Sequence, residues 1–132
     1  MRSNPLRMRN PFLTTAGPRF ADREELLSLA RETAERIATA QPYVREGILF
    51  GSFARGDYGT RSDLDLLVIL DRSDKPARER LVDFLEYTSN YPMDIFPLTQ
   101  AEIESRLREG DPFLRRVMRE GILLYPAPES AQ

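Results

Sequence analysis

Between residues 49 and 70 the chain twice departs from the ordinary construction of a strand. The apolar stretch Ile48-Leu49-Phe50 stops abruptly at Gly51-Ser52. About ten residues later Asp63 and Asp65 open a second apolar run, Leu66-Leu67-Val68-Ile69-Leu70. That run is continuous rather than alternating, which predicts a central strand buried on both faces. A buried strand does not ordinarily begin with two carboxylates on one side, because ionised groups are costly to desolvate unless they are paired or bind a cation. Such conflicts between local rule and placement mark functional sites.

Strand side chains alternate, so Asp63 and Asp65 share one face while Leu64 and Leu66 take the other. At strand rise the two acids stand about 7 Å apart. They repel each other unless a cation lies between them, and a divalent ion with hard oxygen ligands suits that arrangement. Asp71 has the same parity but is roughly 26 Å further along at strand rise, at the other end of the sheet. The chain has no histidine and no cysteine. Disulfides, thiol chemistry and cysteine-based zinc or iron–sulfur sites are therefore excluded, and so is the usual neutral-pH base. Any metal must be held by oxygen, which favours magnesium, manganese or calcium.

The 132 residues bound a single domain with a modest core, and 41% hydrophobic with 30% charged residues is a globular composition. A formal net charge of −2 argues against direct nucleic-acid binding. No apolar run reaches the length of a membrane span, about 18 residues. The basic N-terminus lacks a secretory core, so the expected compartment is the cytoplasm.

Residues 1–20 carry Pro5, Pro11 and Pro18 and read as an irregular arm. A domain over 21–126 and a tail over 127–132 follow. Asp22-Arg23-Glu24-Glu25 predicts a capped helix start, with Leu26, Leu29, Ala30, Ala34, Ile37 and Ala38 as its apolar stripe and Gln41-Pro42 as its end. Strands are expected over 43–50 and 63–70, with a helical turn over 52–56 and a loop over 57–62 between them. Pro76 opens a helix to about residue 87, with Leu81, Phe84 and Leu85 facing inward. A third strand over 91–98 contains Pro92 and Pro97, which suit an edge or short strand. Thr99 with Glu102 caps the next helix, Asp111-Pro112 opens the last one, Gly121 ends it, and residues 122–125 read as a fourth strand. The expected fold class is α/β, a small mixed sheet flanked by helices.

Asp94 is a further anomaly, an acid between Met93 and Ile95 in an apolar strand. If that strand neighbours the Asp63 strand, Asp94 completes a three-carboxylate cluster of the kind that holds metals in nucleotidyl transfer. Gly51 lets a phosphate approach the backbone, and the Ser52 hydroxyl adds a donor. Arg55 is open between a phosphate contact and an ion pair with Asp57 or Asp65. Arg61 reads as exposed, Tyr58 as an aromatic able to stack on a base, and Arg115, Arg116 and Arg119 as a solvated helix face.

Gly51-Ser52, the acid pair Asp63-Leu-Asp65 and the later Asp94 together resemble the DNA polymerase β-type nucleotidyltransferase superfamily. Within it, Gly-Ser-Phe-Ala-Arg-Gly at 51–56 and Ser-Asp-Leu-Asp-Leu-Leu-Val at 62–68 are similar to the minimal nucleotidyltransferases. The resemblance covers about residues 43–125. It implies a polymerase β-like fold, with Asp63 and Asp65 as magnesium ligands and Asp94 as third acid assisting deprotonation of the acceptor. It also implies that Gly51 and Ser52 hold the phosphates of a nucleoside triphosphate. Such proteins are commonly encoded beside a HEPN-domain protein, for which they act as antitoxin by transferring AMP from ATP to a tyrosine. The expected activity is therefore magnesium-dependent transfer of AMP to a protein hydroxyl. The alternatives are a catalytically weak module that docks on a HEPN partner and, less favoured because no acceptor-binding domain follows, transfer to a small molecule such as an antibiotic. Base preference and oligomeric state, homo-oligomer included, stay open.

Overall fold

The computed structural model describes residues 23–56, 64–88 and 91–127. Helix α1 (Arg23–Ala40) is followed by strand β1 (Val44–Phe50), the one-turn helix α2 (Ser52–Arg55) and strand β2 (Leu64–Leu70). Helix α3 (Ala77–Arg80) runs into a 3-10 helix (Leu81–Thr88), and then come β3 (Met93–Thr99), α4 (Gln100–Arg108), α5 (Pro112–Glu120) and β4 (Ile122–Tyr125). The expected α/β class holds: one mixed four-stranded sheet in the order β3-β2-β1-β4, flanked by helices. β1 is antiparallel to both β2 and β4, and β2 runs parallel to β3.

The apolar run of β2 is continuous because each face has its own core. Leu64, Leu66, Val68 and Leu70 point with Leu49 and Ile95 toward Leu26, Ala30, Ala34 and Ile37 of α1 and Phe84 of the 3-10 helix. Leu67 and Ile69 point the other way, with Ile48, Phe50 and Leu98, against Ile103 of α4 and Leu114 and Val117 of α5. Asp65 is the one residue of β2 that is not buried. β3 is an edge strand, as Pro97 within it suits, yet it keeps seven residues.

The third helix differs from expectation. It is α-helical only to Arg80, and of Leu81, Phe84 and Leu85 only Phe84 is buried. With three residues per turn in the 3-10 segment, Leu85 is rotated by a third of a turn from Phe84 and faces outward. Leu81, at the junction of the two helix types, is exposed as well. Asp22, the expected cap of α1, lies outside the described residues, while the expected caps of α4 and α5 are present. Thr99 and Glu102 form a reciprocal capping box on α4, and Asp111 Oδ1 accepts from the N–H groups of Phe113 and Leu114 at 2.8 and 3.2 Å. Among the described residues no helix is long and apolar enough to cross a membrane.

Candidate active site

Three strands build one row across the sheet. The antiparallel pairing of β1 with β2 sets Phe50 opposite Asp65, and the parallel pairing of β2 with β3 sets Asp94 beside Asp65. Paired residues on neighbouring strands project to the same side, here the side covered further along by α4 and α5. Neighbouring strands are about 4.8 Å apart, so the two aspartates are closer to each other than acids two positions apart on one strand. Asp65 is half-buried and Asp94 is exposed. Asp63, the first acid of the predicted pair, lies outside the described residues, as do Asp57, Tyr58 and Arg61. Among the described residues no group of three potential metal ligands converges. Asp65 and Asp94 nevertheless form an all-oxygen pair open to solvent on one side, which fits a hard divalent cation.

Gly51 is required twice at the end of β1. Its φ of 85° and ψ of −159° lie where side chains are strained. A Cβ there would also stand 3.2 Å from Asp65 Cγ and press on the carboxylate oxygen Oδ2. The backbone of Gly51 and the carboxylate of Asp65 therefore pack directly together. Ser52 begins α2, which Phe53 anchors in the core, 1% exposed. Arg23 clamps the anchor from α1: its Nη1 donates to the Phe53 carbonyl at 2.9 Å, and its guanidinium lies 4.6 Å from the ring centre. The chain turns away at Gly56, in the left-handed region at φ 86°.

Arg55 Nη1 is 3.9 Å from Glu120 Oε1, a partner on α5 that sequence reasoning did not name. Between Gly51 and α5 is a cleft of about 160 Å³, edged by Arg55, Arg116 and Glu120 with Phe50 and Phe113 in its wall. Arg116, read from sequence as part of a solvated face, thus stands beside the glycine turn. The signal was present as a stripe at helical spacing, Phe113, Arg116 and Glu120, next to the core pair Leu114 and Val117. A cavity of about 230 Å³ beside Leu70, Arg72 and Lys75 shares no residue with the aspartate row. The candidate site is read from the carboxylates rather than from that hollow.

Residues 30–124 match the family model of the nucleotidyltransferase domain. The chain belongs to that family. It is 32% identical over 82 residues to a Methanocaldococcus jannaschii protein named "putative protein adenylyltransferase", covering 62% of this chain and 79% of the relative. A crystal structure from Sulfolobus solfataricus, described as a "putative nucleotidyltransferase", superimposes with a TM-score of 0.61 at 24% identity over 84% of this chain and 89% of the other, a likeness of fold. Family and fold both point to a transferase domain.

Proposed function

We propose that this nucleotidyltransferase domain transfers AMP from ATP, with magnesium, to a hydroxyl of a protein partner, and that the partner is a HEPN-domain protein it serves as antitoxin. One observation carries the reading: in a member of this family, Asp65 and Asp94 stand in register on neighbouring strands, against a glycine turn. The protein acceptor draws on the relative named a protein adenylyltransferase. The HEPN partner draws on the resemblance of residues 51–68 to the minimal enzymes.

Asp65 and Asp94, with Asp63, would hold the metal, which when bound supplies charge neutralisation for the triphosphate and the attacking oxygen. The residues of the chain do the rest. Gly51 and Ser52 receive the phosphates, since a glycine leaves room for close approach and the hydroxyl donates. Arg55 adds positive charge on the same side. Asp94, at the outer end of the row, accepts the proton of the acceptor hydroxyl. The acceptor oxygen then bonds to the α-phosphorus as the bond to pyrophosphate breaks, and pyrophosphate departs on the Gly51 side.

The test incubates the chain with α-labelled ATP, magnesium and the product of the neighbouring gene, and reads the mass of that product. A gain of one or more AMP units, abolished by Asp65→Asn and by Asp94→Asn, is expected. A second reading, a docking module without turnover, is favoured by the exposed Val82 and Leu85, 68% and 52% accessible on the 3-10 helix. Tight partner binding without label, indifferent to both aspartate changes, would establish it and overturn the enzymatic reading.

A further inference from the structure

Three phenylalanines cluster beside the aspartates, Phe50 in the row itself, opposite Asp65, and Phe96 and Phe113 next to it. Phe96 follows Asp94 by two residues on the same face, about 7 Å further along β3, and Phe113 lies on the first turn of α5. Both rings meet Phe50 edge-on, with centroids at 5.3 and 5.4 Å, and each other at 6.0 Å. Phe50 is 7% exposed, but Phe96 and Phe113 are 37% and 40% exposed, so the cluster has a buried floor and an open aromatic top.

We propose that Phe96 and Phe113 are the surface on which the base of the nucleoside triphosphate stacks. The inference rests on the nucleotidyl-transfer reading above and deepens it. In-line displacement puts pyrophosphate and acceptor on opposite sides of the α-phosphorus, and across the sheet those sides are Gly51 and Asp94. The ribose leaves the phosphorus on a third bond, transverse to that axis, and one transverse direction runs along the strands. In that direction the row meets Phe96 and Phe113. A base has two apolar faces, and an open aromatic surface holds one by stacking. Stacking is nearly indifferent to which base is held, so the surface secures a nucleoside without selecting adenine.

The test compares magnesium with ATP against magnesium with inorganic tripolyphosphate, which has the phosphates but no base, in titrations of the full chain. Phe96→Leu and Phe113→Leu are expected to weaken ATP binding about 5- to 30-fold while tripolyphosphate affinity stays within about twofold. The chain has no tryptophan, so Phe96→Trp places one indole on the surface. Its fluorescence is expected to be quenched by ATP and GTP alike and not by tripolyphosphate. This readout decides the matter if a leucine variant fails to fold. Undiminished ATP affinity, equal weakening of both ligands, absence of quenching, or a loss confined to the KM of a protein acceptor would each overturn the stacking surface and leave nucleotidyl transfer standing. No magnesium-dependent binding of either ligand to the wild type would overturn both.

Discussion

Gly51 and Asp65 share a space that only a hydrogen atom leaves open. The glycine adopts φ 85°, and a methyl group on it would meet the Asp65 carboxylate, 3.2 Å from Cγ and nearer to Oδ2. Gly51→Ala therefore has two consequences: backbone strain of about 1–3 kcal/mol and a displaced aspartate. Nucleotidyl transfer is expected to fall at least about 100-fold, because small misplacements of reacting groups cost that much. Gly56→Ala is the control. It has a similar φ of 86° but nothing within 4 Å of its added Cβ. It should cost about 1–2 kcal/mol of backbone strain and spare turnover per folded molecule. Thermal unfolding and single-turnover assays of the two variants separate strain from positioning.

Asp65 and Asp94 are neighbours in register, an all-oxygen pair suited to a hard divalent cation. Magnesium is expected to stabilise the wild type, by about 2.7 kcal/mol when its concentration is 100 times the dissociation constant. Asp65→Asn and Asp94→Asn should each abolish that increment. Unfolding midpoints with and without magnesium, for the three proteins, provide the measurement.

Phe53 and Arg23 hold α2 against the body of the domain. Arg23→Ala removes a hydrogen bond to the Phe53 carbonyl and a cation over its ring. The combined loss is about 1–2 kcal/mol. Phe53→Ala empties a fully buried site and should cost about 3–5 kcal/mol, a large part of the 5–15 kcal/mol that keeps a domain folded. Because α2 begins at Ser52, the milder Arg23→Ala should raise KM for ATP with little change in kcat.

The strands and their order of appearance were legible because hydrophobic period and punctuation are local signals. Leu66 to Leu70 announced burial on both faces, and Pro92 and Pro97 announced an edge. Asp94 announced itself as an acid in an apolar strand, but its place beside Asp65 is a fact of pairing that no local pattern contains. The same holds for Phe50, Phe96 and Phe113, each unremarkable in its own segment and joined only by β1, β3 and α5 coming together. Leu85 differs from expectation for another reason. A period of 3.6 residues per turn predicts an inward face, and the segment winds at three.

Arg80 and Glu102 tie the start of α4 to the end of α3 and to β3, and the tie is sensitive to acid. Arg80 is buried and donates to both Glu102 oxygens, at 2.7 and 2.8 Å, and to the carbonyls of Lys75 and Pro97. Hydrogen bonds from Arg80, with the backbone N–H of Thr99 assisting, lower the Glu102 carboxyl from 4.5 to about 2. A carboxyl lowered in the folded state stabilises fully above its ordinary value, and that stability is lost as pH falls through 4.5 toward 2. The unfolding midpoint of the wild type should therefore decline across this window. Glu102→Gln should begin lower at pH 6 and decline less steeply. Arg80→Met should be destabilised at pH 6 by about 2–3 kcal/mol, less than for a wholly buried pair because the Glu102 side chain is 36% exposed. Unfolding midpoints at intervals from pH 2 to 6 test this, and parallel curves for wild type and Glu102→Gln would remove the pair as the source of the acid sensitivity.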